Sequence, residues 1–266
     1  MIRHLFLLLT LAPASLAAQG NANYDPDFDG NGCYQMADVL ALLQLFGACN
    51  DSILSFTCGD LVQFDDYSYA TVLIGEQCWF AENLRSNHYR NGDEIPGELS
   101  DAEWSSTSEG AQAIYDNASV NLADYGRLYN WFAVDDSRGL CPIGWHVPSD
   151  DEFKSLEIEL GMTEAEASSE QWRGSDQGTQ LKSAPSDTPA WNGTNTSGFS
   201  AIPGGFRYYN SGTYSNIGVR NYLWTATSAN VPSAYLRRLD SGQNNVYRVG
   251  DRKLYGWSVR CIQDTE

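Results

Sequence analysis

The sequence predicts an α+β protein: one domain of short antiparallel strands, few helices and long loops, behind a small N-terminal calcium-loop–helix module. Three observations carry this. A Gly-first two-residue turn at Gly75 and Glu76 separates two strand-like runs. Ser149 and Glu152 form a helix-start signal ahead of Phe153, Leu156 and Leu160 at helical spacing. Asp27, Asp29, Asn31 and Gly32 sit in the frame of a calcium-binding loop that runs directly into an apolar helix.

Along the chain, Arg3 and His4 precede the apolar residues 5–11, Pro13, and the small residues Ala17 and Ala18. This is the pattern of a secretory leader over residues 1–18, with cleavage expected after Ala17 or Ala18. The apolar run falls short of the ~20 residues that span a bilayer, and no later stretch approaches it, so no transmembrane anchor is expected. The expected location is therefore secreted or cell-surface.

The chain carries 34 acidic and 16 basic residues, a formal charge of −18, and losing Arg3 with the leader makes it one unit more negative. Phosphate binding needs a basic footprint, so nucleic acid is excluded as a partner. The same charge favours solubility and divalent cations.

Residues 19–50 form the small module. Asp27, Asp29 and Asn31 supply oxygens at loop positions one, three and five, and Gly32 permits the sharp turn at six. The Cys33 carbonyl takes position seven, Gln35 acts through water at nine, and Asp38 closes the cage from the first turn of the apolar helix 39–46. A hard cation wants six to eight oxygens at about 2.3 to 2.6 Å, so Ca2+ is the expected cofactor and magnesium fits less well. These residues resemble a dockerin repeat, which also places Asp at the twelfth position before a Leu-rich helix. Dockerins carry two repeats where this chain has one, and Tyr34 stands where a smaller aliphatic is usual, so the resemblance implies a calcium-stabilised cap or docking element and not cohesin binding.

Six cysteines in an exported chain imply three disulfides. Number alone does not fix the pairing. Position along the chain favours Cys33 with Cys49, Cys58 with Cys78, and Cys141 with Cys261. None shows the C-x-x-C spacing of a zinc or redox site.

A polar linker is read over residues 51–60 and one domain over residues 61–266, a length of about 200 residues that suits a single domain. Residues 69–74 and 77–80 read as a hairpin with a type II′ turn. The helix after Ser149 ends at Gly161, and Thr163 with Glu166 caps a second short helix to about residue 170. Residues 222–227, 234–239, 245–249 and 255–262 read as strands of an antiparallel sheet. The N-x-S/T matches at Asn117, Asn192 and Asn195 are read as chance.

Several stretches resemble the Fibrobacter succinogenes major paralogous domain, a bacterial extracellular family. They are residues 72–84 with Trp79, Glu82 and Asn83, residues 125–131 with Tyr129 and Trp131, and residues 140–149 with Trp145 and His146. Residues 198–207 with Pro203, residues 223–227 with Trp224, and residues 256–261 with Trp257 and Arg260 complete the set, in order across almost the whole domain. That family is similar in turn to C-type-lectin-like folds, including the scaffold of formylglycine-generating enzymes, which implies a C-type-lectin-like domain here. The family has no established reaction, and fold does not carry function.

Enzymatic classes find little support. Formylglycine-type oxidation needs paired cysteines near the C-terminus to bind copper, and Cys261 stands alone there. Hydrolysis by a Ser or Cys nucleophile needs a base and an orienter, yet only His88 and His146 follow the leader, no G-x-S-x-G elbow exists, and His146 reads as structural beside Trp145. Carboxylate pairs such as Asp150 with Asp151 or Asp135 with Asp136 occur in any acidic chain, and Asp150 and Asp151 are read as first-turn residues favoured by the helix dipole. The E-P-N, Q-P-D and W-N-D motifs of calcium-dependent sugar sites are absent, Trp191-Asn192-Gly193 being a partial echo.

The candidate ligand-binding surface is the Tyr-rich stretch containing Arg207, Tyr208, Tyr209, Tyr214, Arg220 and Tyr222. Tyrosine offers large contact area with few rotors, and such aromatics stack on sugars. The expected function is a non-catalytic recognition or adhesion protein binding an extracellular glycan or protein. The alternatives are an enzyme on the same scaffold acting on polysaccharide, and a structural envelope component.

Overall fold

β1 (Val62–Phe64) and β2 (Tyr67–Tyr69) form an antiparallel pair, turned by Asp65 at φ 47°. The computed structural model describes residues 56–265. β3 (Thr71–Ile74) and β4 (Gln77–Phe80) then form the expected hairpin, with Ile74 opposite Gln77. Gly75 carries φ 60°, the positive value that the first position of a type II′ turn requires.

Among the described residues six α-helices follow, all short. α1 (Asp101–Ser106), α2 (Val120–Tyr125) and α3 (Trp131–Val134) lie among the loops that carry β5 (Gln112–Ala113), β6 (Leu128–Tyr129) and β7 (Trp145–His146). α4 (Asp150–Glu159) is the longest. Its start is the expected capping box, in which Ser149 Oγ accepts from the Glu152 N–H while the Glu152 carboxylate accepts from the Ser149 N–H. Phe153 and Leu156 are buried beneath it, each worth about 1.5–3 kcal/mol of burial, and Gly161 at φ 104° ends it. α5 (Glu164–Ser168) starts from the second capping box, Thr163 with Glu166, and β8 (Gln171–Arg173) and α6 (Gln177–Leu181) follow.

The last third is strand. β9 (Gly204–Arg207) pairs with β10 (Tyr214–Ile217), and β11 (Arg220–Asn230), β12 (Ser233–Asp240) and β13 (Val246–Arg252) make an antiparallel meander extended by β8. A second four-stranded sheet has the order β3-β4-β14-β7, where β14 is Ile262–Gln263. The class is α+β, as the sequence implies.

The strand expected over residues 255–262 is not one strand. Gly256 bridges to Arg207, Trp257 to Tyr129 and Ser258 to Leu223, so three successive residues meet three different elements. Residues 256–262 are buried throughout, and their backbone groups are shared among several elements in place of one continuous ladder. Around it gathers one core cluster containing Phe80, Tyr129, Trp145, Trp224 and Trp257, while a second, with Trp79, Phe153, Leu156 and Phe199, lies under α4.

The domain begins earlier than the sequence indicated. Residues 56–60 belong to the compact unit that starts at Phe56 and are not linker. Phe56 sets its ring edge-on to Trp145 at 5.5 Å, and the Asp60 carbonyl accepts from the Thr71 hydroxyl. Disulfides join Cys58 to Cys78 and Cys141 to Cys261. Among the described residues no helix is long and apolar enough to cross a membrane. The leader, the calcium loop of Asp27, Asp29, Asn31, Cys33, Gln35 and Asp38, and the Cys33–Cys49 pairing lie outside the described residues.

Candidate functional site

Strand alternation gives the β11–β12–β13 meander two chemically different faces. Tyr222 stands opposite Arg238, and Arg238 opposite Tyr247, while two residues along lie Trp224, Leu236 and Val249 in a second row. The intervening residues, Arg237 and Arg248, point the other way, toward α4. Adjacent arginines in the sequence thus serve opposite faces.

The first face walls a cavity of about 340 Å³, closed by Phe206, Tyr208, Tyr255 and Trp257. Its volume lies in the small-molecule range. Trp257 is sandwiched between Tyr222 and Tyr255, nearly parallel to both, with ring centres 5.7 and 4.9 Å away. Phe206 meets the two tyrosines edge-on. Arg238 is set among the rings of Tyr222, Tyr247 and Trp172 and forks onto the Asp240 carboxylate, with Nε 2.6 Å from Oδ1. Asp251 accepts from the Arg252 N–H, and burial pushes its carboxyl above the ordinary range.

Among the described residues, two donors on this groove make no hydrogen bond, one of them ion-paired. The Trp257 indole Nε1, in a residue only 1% exposed, makes no hydrogen bond, and neither does Arg220 Nε, which lies 3.3 Å from the Asp240 carboxylate without the alignment of a bond. A buried donor without an acceptor costs about 1–3 kcal/mol, which a ligand oxygen or water recovers.

The structure divides the six residues singled out in the sequence. Tyr208 (37% exposed), Arg220 and Tyr222 line the groove. Tyr209 sits beside it, edge-on to Tyr255 and under Arg252. Tyr214 packs on Tyr115 and donates from its hydroxyl to Asn117 Oδ1 at 2.7 Å, away from the groove. Arg207 is not a surface residue: it is 0% exposed, Nε donating to the Gly212 carbonyl and Nη2 to the Leu99 carbonyl, with its guanidinium over Trp104. Alternation along β9 directs Phe206 into the groove and Arg207 away from it.

Sequence reasoning missed Arg238, Tyr247, Asp251, Tyr255 and Trp257 as site residues. The signal for the first three was the period of two in β12 and β13, which places them on the face of Tyr222.

Three other acid–base candidates, His146, Asp136 and Asp150, are held in ion pairs. His146 is clamped between carboxylates, Nε2 to Glu152 at 2.8 Å and Nδ1 to Asp264 at 2.5 Å, so both ring nitrogens are occupied. The Glu152 bond, against the opposing effect of burial, raises its pKa above the ordinary value. Arg138 holds the Asp136 carboxyl down at about 2. Asp150 is more than a dipole-favoured residue: burial would raise its pKa, yet Arg248 and Arg237 hold it well below the carboxylate range. Among the described residues no group of three or more His, Cys, Asp or Glu side chains converges as a metal site.

No curated protein and no solved structure matches the chain. The family model described as the Fibrobacter succinogenes major domain matches residues 72–263, a span containing every groove residue and, apart from Thr71, both four-stranded sheets. With most of its length so matched, the chain belongs to the Fibrobacter succinogenes major domain family.

Proposed function

We propose that this is an exported, non-catalytic recognition protein that binds a glycan in the aromatic groove, on a scaffold of C-type-lectin-like kind. The observation that carries the reading is the pair of donors without a hydrogen bond, Trp257 Nε1 and Arg220 Nε, in a cavity walled by Tyr208, Tyr222, Tyr247 and Tyr255. Sugars present apolar C–H faces that stack on aromatic rings and hydroxyls that accept from such donors. Lone Asp251 adds an acceptor. Hydrolysis of a polysaccharide by the usual route uses two carboxylates, and among the described residues Asp251 is the one carboxylate lining the groove, which favours binding over cleavage.

The leader pattern and the two disulfides support export, since such bonds persist in oxidising compartments. The dockerin-like loop serves in this reading as a Ca2+-stabilised cap or docking element. The test is a glycan array probed with the folded full chain, followed by titration of the strongest hit. Saturable binding to a defined saccharide supports the reading. A folded chain that binds no glycan above background, or that turns one over, overturns it.

A further inference from the structure

A second cavity, of about 450 Å³, lies apart from the groove and shares no lining residue with it. It is lined by two arginines, Arg85 and Arg260, and three carboxylates, Glu82, Asp124 and Asp187, and Arg260 pairs with none of them. Arg260 is 1% exposed and lines it. Its guanidinium donates to Asn83 Oδ1 at 3.2 Å, the Ser200 carbonyl at 2.8 Å and the carbonyls of Phe80 and Phe199, all of them neutral. Among the described residues no carboxylate comes within ion-pair distance of it. A buried charge without a counter-charge is costly, and the cost shows in a pKa that burial lowers to about 9.

Two further donors at this wall are unused. Ser183 is 1% exposed, with its backbone pinned by Ala201 and Gly193, yet its Oγ has no partner. Arg85 spends Nη2 on the Ala123 carbonyl and Glu82 and stacks on Tyr67, leaving Nε without an acceptor.

The acids nearby leave Arg260 without a contact partner, although Glu82 pairs with Arg85. Glu82 is committed to the Tyr67 hydroxyl, the Ala70 N–H and Arg85, and Asp187 to the Ala184 N–H and the Asn195 amide. Asp124 is exposed, so it sits on the solvent side of the cavity. It penalises any ligand carrying negative charge at both ends.

We propose that this cavity is a second binding site, taking a small organic carboxylate whose anionic end offsets Arg260 and accepts from Ser183 Oγ and Arg85 Nε. The other end of the ligand, facing Asp124, is neutral or cationic. A single carboxylate supplies the charge that the protein interior omits and satisfies both free donors at once.

Calorimetric titration of the full chain with lactate and with alanine, against the neutral glycerol, tests this. The expected result is saturable binding of at least one carboxylate, no binding of glycerol, and a loss of roughly tenfold or more in Ser183→Ala and in Arg85→Gln. Arg260→Gln is not needed, because those two variants leave the buried guanidinium in place. Tyr208→Ala, which alters the groove alone, leaves carboxylate binding unchanged, so failure of the glycan reading and failure of this one are separable. Absence of saturable binding by both carboxylates, equal binding of glycerol, or wild-type affinity in both Ser183→Ala and Arg85→Gln overturns the proposal.

Discussion

Arg237 stands directly opposite Arg248 on neighbouring strands, and the two guanidiniums share one carboxylate. Like charges so placed destabilise a sheet. Asp150, from the first turn of α4, resolves the conflict, its Oδ1 2.7 Å from Arg237 Nη1 and its Oδ2 2.7 Å from Arg248 Nη2. Two turns along the same helix face, Glu157 takes Arg237 Nε at 2.7 Å and Arg173 Nη2 at 2.6 Å. The helix is thus bolted to the sheet by charge, beside the apolar contacts of Phe153 and Leu156.

Asp150→Asn leaves two buried guanidiniums short of a counter-charge. It is expected to cost about 3–5 kcal/mol in chemical denaturation, the range for breaking one partner of a buried pair. Asp151→Asn, at a side chain 88% exposed, is expected to stay within about 0.5 kcal/mol. Equal effects would show that the network is not desolvated.

The His146 clamp gives stability a pH dependence of definite sign. Its folded pKa is raised, so its contribution is fully present below the ordinary value of 6.5 and is lost as pH rises through the folded value. Glu152 behaves oppositely: burial would raise it, but the His146 bond helps to hold it at about 2, so its share fades only as pH falls toward that value. The melting temperature of the wild type should therefore drop relative to His146→Gln between mildly acidic and mildly alkaline buffer. The effect is modest because the histidine side chain is 38% exposed and screened by solvent.

In the groove, Tyr255→Ala and Arg220→Ala are expected to weaken glycan binding by roughly tenfold or more, as residues at the centre of a contact do. Tyr214→Ala is expected to leave affinity nearly unchanged. Arg207→Gln should lower the melting temperature instead, because it frees the carbonyls of Gly212 and Leu99. Titration and thermal melts on the four variants separate these outcomes.

Calcium is expected to raise the melting temperature of the full chain, since a ligand that binds only the folded state stabilises it. Asp27→Ala and Asp38→Ala should each abolish the rise. No shift with saturating calcium in the wild type would remove the metal assignment.

Features written in adjacent residues were legible in the sequence. The capping boxes at Ser149 and Thr163 and the turn at Gly75 each depend on three or four consecutive residues, and each forms as read. The same signal, Ser100 with Glu103, starts α1 and was there to be read. The pairings of Cys58 with Cys78 and Cys141 with Cys261 followed from position. The groove was legible only in part, because Tyr222, Arg238 and Tyr247 meet through ladder register, which composition does not encode. Arg207 misled for a related reason: in a loop-like stretch rich in Tyr, Ser and Gly, nothing local distinguishes a guanidinium that satisfies inner carbonyls from one that faces solvent.

The buried run at residues 256–262 also sets an order of events. Its partners, Tyr129, Arg207 and Leu223, were all synthesised earlier, and until this run arrives each keeps an open backbone position and the tryptophan cluster has no centre. The domain therefore stays short of its final cooperative state until residues 256–262 have been made. Cys261 then reaches Cys141, and the covalent bridge fixes what the late run completes.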